Sequence, residues 1–61
     1  MKVYIVLLEY DGEDFPYSEM LGIYASRKLA EKRADAYIKN HYEECQEYSI
    51  DEEEVIEEEP Q

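Results

Sequence analysis

Tryptophan is absent, cysteine occurs once, and glycine and proline occur twice each in 61 residues. The single Cys45 rules out an internal disulfide, so a disulfide-stapled secreted scaffold is excluded and a reducing compartment fits. The two glycines stand alone, which excludes a Gly-rich phosphate-binding loop. The longest apolar run, Val3 to Leu8, falls far short of the roughly 20 residues that span a bilayer. No small-residue cleavage site follows it, so neither a membrane anchor nor a signal peptide is expected, and the expected location is the cytoplasm. Basic residues are scarce as well. Six Lys and Arg face 17 Asp and Glu, a formal net charge of −11 with a pI near 4.2. That field disfavours direct contact with nucleic acid or an anionic membrane and favours basic protein surfaces.

What is present argues for folding. Hydrophobic residues make up 44% of the chain and Tyr occurs seven times, too much apolar surface for a disordered acidic segment. The length allows one domain, and a domain this small buries little of its surface and gains from a partner.

"KVYIVLLEY" (Lys2 to Tyr10) is rich in β-formers and uninterrupted by Gly or Pro, which predicts a strand. "DGEDFPYSE" (Asp11 to Glu19) reads as a loop, and "MLGIYAS" (Met20 to Ser26) as a second strand. Ser26 is a suitable N-cap for a helix over Arg27 to Cys45. Within that helix Leu29, Ala30, Ala34, Tyr37, Ile38, Tyr42 and Cys45 recur at three-four spacing. A third strand is expected from near Tyr48. The predicted fold is therefore α+β, in the order β-β-α-β. It has a three-stranded antiparallel sheet in the order 2-1-3 and one helix on one face. It forms one domain over 1–56, and the acidic end 57–61 is expected to fray when free.

Side chains alternate across a strand. Val3, Ile5 and Leu7, with Leu21, Ile23 and Ala25, are the aliphatic sets and are expected under the helix. Tyr4, Val6, Leu8, Tyr10, Met20 and Tyr24 would then be uncovered. Exchanging the two faces leaves the same surplus of apolar residues, which is covered either by the C-terminal segment or a long loop folding back, or by a partner at an interface, the reading favoured here. Tyr4, Val6, Leu8 and Tyr24 are the candidate residues for a homodimer.

The charges are segregated. Apart from Lys2, every basic residue lies between Arg27 and Lys39, where only Glu31 and Asp35 oppose them. Residues 9–19 hold five acids and no base, and residues 43–61 hold ten acids and no base. In a strand, Asp51, Glu52, Glu53 and Glu54 project two carboxylates to each side, and Glu57, Glu58 and Glu59 would continue the series. The candidate partner-binding residues are Tyr10, Asp11, Glu13, Asp14, Tyr17, Tyr24, Tyr48, Asp51, Glu52, Glu53 and Glu54. Carboxylates would steer a basic target and Tyr rings would anchor it.

In size, acidity, aromatic content and mixed α/β pattern the whole chain resembles the small inhibitors encoded by phages and mobile elements. These include anti-restriction, uracil-DNA glycosylase inhibitor and anti-CRISPR proteins of the DNA-mimic or anti-defence type. The resemblance is one of composition and architecture, without a shared motif, so it transfers no residue. It implies binding to the basic, nucleic-acid-binding surface of a host defence or nucleic-acid-processing protein, in the host cytoplasm. The alternative is a small homodimeric structural or regulatory module whose acids serve solubility.

Enzyme chemistry is not expected. His41 and Cys45 lie four apart, but two ligands do not make a usual zinc site, and a Cys-His nucleophile pair needs a pocket and an orienting group. "DGED" lacks the spacing of a calcium loop. No catalytic residue, metal or cofactor is assigned.

Overall fold

The computed structural model describes residues 1–56. The expected fraying of 57–61 and the contribution of Glu57 to Glu59 lie outside the described residues. The order is β1 (Lys2–Tyr10), β2 (Tyr17–Tyr24), α1 (Arg27–Asn40) and β3 (Glu47–Glu54). Both outer strands pair antiparallel with β1, giving the sheet order β2-β1-β3 expected from the sequence. The architecture is α+β. Among the described residues, no helix is long and apolar enough to cross a membrane.

The first loop is shorter than expected. β2 begins at Tyr17, and Tyr17, Ser18 and Glu19 pair with Tyr10, Glu9 and Leu8. Only residues 11–16 remain to turn the chain, and Gly12 has no room for a side chain. A Cβ there would lie 2.2 Å from the Phe15 carbonyl oxygen.

Helix α1 starts where Ser26, in an extended conformation, accepts a hydrogen bond through Oγ from the Leu29 amide at 3.1 Å. This satisfies one of the orphan donors of the first turn. The first turn holds no acid, so Arg27 and Lys28 oppose the helix dipole there. The helix stops at Asn40 rather than running to Cys45, because His41 leaves the helical region at φ −129°, ψ 35°. The amides of Glu44 and Cys45 both donate to the His41 carbonyl, which makes a tight turn. That turn delivers Cys45 to a buried position, where its Sγ donates to the carbonyl oxygens of Glu47 (3.2 Å) and Glu9 (3.5 Å).

The helix covers the opposite face of the sheet from the one expected. Val6, Ala30 and Ala34 are fully buried together, and Tyr4, Leu21, Tyr24, Tyr48 and Ile50 pack around them. Two physical reasons favour this arrangement. Ala30 and Ala34 are small, so the helix sits close to the sheet and leaves flanking volume that large rings fill. The tyrosine tips and rings also find partners there. Tyr48 donates to Asp35 at 3.2 Å, and the Arg27 guanidinium lies 5.5 Å from the centre of the Tyr4 ring.

A β-bulge completes the exchange. Val6 lies opposite Gly22 while Leu7 lies opposite Met20, so Leu21 is an extra residue on β2. The bulge sends Leu21 to the helix side and brings Met20 and Ile23 onto the same open face, which strict alternation would separate. Gly22 makes room for the Tyr24 ring, whose hydroxyl would lie 2.7 Å from an added Cβ.

Candidate functional site

Two surfaces come out of this fold. The first is acidic and is built at the two ends of the sheet. Where β1 ends and β2 begins, Tyr10 and Tyr17 face each other and their rings stack at 5.1 Å with a 13° tilt. The neighbouring Tyr37 hydroxyl, and then burial, push the Tyr10 phenol above its ordinary pKa. Around this stack a cleft of about 480 Å³ is lined by Glu9, Asp11, Glu43, Glu44 and Glu47. Glu13 and Asp14 lie on the exposed loop beyond it.

The opposite end carries the β3 carboxylates. Glu54 pairs with Lys2, Glu53 with Val3, Glu52 with Tyr4 and Asp51 with Ile5 across the ladder. Glu52 and Glu54 thus point to the helix side, and Asp51 and Glu53 to the open side. The Lys2 ammonium lies 3.3 Å from Glu52, which raises the Lys2 pKa through a hydrogen bond first and charge second. The N-terminal ammonium lies 3.3 Å from Glu54. Asp51 and Glu53 have no cationic partner among the described residues.

The expected contact residues therefore divide into three groups. Tyr10, Asp11 and Tyr17 come together at one end, with Glu13 and Asp14 nearby in sequence. Asp51 to Glu54 form a separate row, about 17 to 26 Å away along the strands by strand rise. Tyr24 and Tyr48 are half-buried core residues; burial first, and the bond to Asp35 second, push the Tyr48 phenol up. Glu9, Glu43, Glu44 and Glu47 were not anticipated in the cleft. The signal for them was the turn after Asn40, which the apolar spacing through Tyr42 and Cys45 disguised as helix.

The second surface is the uncovered face of the sheet. Val3, Ile5 and Leu7 run down its centre half-buried, beside Met20 and Ile23, which are 60% and 54% exposed. The expected homodimer set is not available for such a contact, since Val6 and Leu8 are 0% and 3% exposed.

His41 and Cys45 do not assemble a reactive pair. The His41 ring stacks on Tyr37 at 4.2 Å, while the Cys45 thiol is engaged by two carbonyls. Among the described residues, no cluster of three or more His, Cys, Asp or Glu is arranged to hold a metal ion.

Residues 1–61 match the family described as a domain of unknown function (DUF7336). The chain belongs to the DUF7336 family. A search of curated proteins found no match, and a search of solved structures found none.

Proposed function

We propose that this DUF7336 chain is a non-enzymatic protein-binding inhibitor. It occupies a basic, nucleic-acid-binding surface of a host defence or nucleic-acid-processing protein. The observation that carries this reading is the placement of Asp51 to Glu54 on a strand held by a ladder to β1, not on a free end. The four carboxylates alternate between the faces of β3, so each face carries two about 6.6 Å apart, a fixed array that the Lys and Arg of a phosphate-binding surface can engage.

The arrangement of the remaining charge supports the same reading. Helix α1 carries five of the six basic residues and two of the 17 acidic ones. The β3 edge and the Tyr10–Tyr17 end are left almost purely acidic. The ion pairs of Glu52 and Glu54 are exposed and weak, so a partner's Arg or Lys can replace Lys2 and the N-terminus. The acidic cleft offers a second contact, with stacked rings as its apolar floor.

The test is capture from a bacterial lysate on the immobilised chain, eluted with rising salt, beside the double variant Asp51→Lys, Glu53→Lys. The reading expects a nucleic-acid-handling protein that elutes as salt rises, is lost with the variant, and is released from the chain by duplex DNA. Capture unaffected by the variant, or a captured protein that still binds DNA in the complex, refutes it.

A further inference from the structure

Among the described residues, no element covers one face of the sheet. Among the described residues only Val6, Leu8, Ala30, Ala34 and Cys45 are buried hydrophobics, a small core for a chain of this length. The open face meanwhile holds an unbroken apolar line, Val3-Ile5-Leu7, flanked by Met20 and Ile23. Met1 and Val55 extend it, joined by a bond from the Val55 amide to the Met1 carbonyl at 2.7 Å.

We propose that this face is a self-association surface, on which a second copy packs sheet against sheet about a two-fold axis parallel to β1. The inference does not rest on the inhibitor reading, but the two share this face: Asp51 and Glu53 project from it, whereas Glu52 and Glu54 lie on the helix side and stay clear of the contact.

Three features select a second copy. First, the apolar line lies on the central strand. A two-fold axis parallel to β1 therefore sets Val3, Ile5 and Leu7 of one copy over the same residues of its partner, a self-complementary contact. Second, the charge is on one side only. Asp51 and Glu53 project from β3 on this face, while Met20 and Ile23 project from β2. The same axis sets β3 across from the partner's β2 and keeps the carboxylates of the two copies on opposite lateral edges of the contact. An axis running across the strands would set β3 on β3 and bring carboxylates together. Third, the area is of the right order. Eight residues of rise by three strand spacings make a flat face of about 370 Å² per copy, and its corrugated accessible surface is larger. Two such faces give about 740 Å² of flat area and a larger accessible one, below the roughly 1,200 Å² at which stable complexes begin, which gives a weak, reversible dimer.

The salt dependence has a defined sign. Two copies at −11 repel, so added salt tightens the dimer, the reverse of its effect on a basic partner. Sedimentation over a concentration series at low and high salt tests this on the full chain, beside Met20→Glu and Ile5→Glu. Met20 is already largely exposed, so its substitution leaves the protomer fold intact even where Ile5→Glu does not. The expected result is a concentration-dependent dimer that strengthens with salt and weakens at least tenfold in Met20→Glu. A wild-type monomer at every concentration and salt overturns the proposal and leaves the face to a different protein. A dimer indifferent to Met20→Glu also overturns it, because association then uses another surface.

Discussion

Replacing Val6 by Ala, beside Val3 by Ala, tests which face the helix covers. The two valines sit three residues apart on β1 and differ in what meets them. Val6 is 0% exposed against Ala30 and Ala34, whereas Val3 is half-buried on the open face. Truncating Val6 removes two methyl groups, about 1.5 kcal/mol of transfer energy at roughly 0.8 kcal/mol each. The helix cannot close fully onto the gap, because the rings of Tyr4, Tyr24 and Tyr48 hold it at its present distance, so a cavity term adds about 1 kcal/mol. The expected cost is about 2–3 kcal/mol. Val3→Ala should cost about 0.5–1 kcal/mol, since less of its side chain leaves water on folding. A domain of this size has about 3–5 kcal/mol to lose. Urea unfolding followed by circular dichroism, at a dilution that keeps the chain monomeric, resolves the difference. With a urea slope of about 1 kcal/mol/M, Val6→Ala should lower the midpoint by about 2 M or more and Val3→Ala by less than about 1 M. Equal shifts, or a larger one for Val3, would refute the assignment of faces and the location of the open surface with it.

Ser26→Ala removes the side-chain acceptor of the first turn and should cost about 0.5–2 kcal/mol by the same unfolding assay, with Ser26→Asp restoring it. No loss in Ser26→Ala would mean that the cap contributes nothing. Alkaline stability follows from groups whose pKa values folding raises: Tyr10, Tyr48 and, through an exposed pair, Lys2. A raised pKa means that the folded state holds its proton more tightly. The stabilisation is therefore complete below the unfolded values near 10 and is lost as pH climbs through the folded ones. Melting temperature should hold steady up to about pH 9 and fall above about pH 10, in step with tyrosinate absorbance, and Tyr48→Phe should flatten part of that fall. A melting temperature that rises with pH across this range would contradict the Tyr48–Asp35 hydrogen bond and the raised pKa of Tyr10 beside Tyr37.

Much of the fold is legible in local pattern. β-Formers from Lys2 to Tyr10 make the central strand, Ser26 marks the helix start, and the segregation of charge follows from composition alone. Local signals were weaker where they compete. Tyr17 to Glu19 reads as loop because Pro16 precedes it and acids surround it, yet cross-strand pairing with Leu8 to Tyr10 extends the strand. Tyr42 and Cys45 keep helical spacing after the helix has ended, because a tight turn and a helix both place residues three and four apart on one side.

The sequence by itself determined the strand and helix order, the antiparallel 2-1-3 sheet, the acidic field and the existence of an apolar surplus. Only the tertiary structure decided which residues form that surplus. Period-two alternation says that β1 has two apolar faces but not which one the helix takes. Ala30 and Ala34 decide this by offering a shallow surface that tyrosines fit around, with their polar tips satisfied at its edges. The bulge at Leu21, invisible to alternation, then brings Met20 and Ile23 beside Ile5 and Leu7, because one extra residue reverses the faces of the strand beyond it.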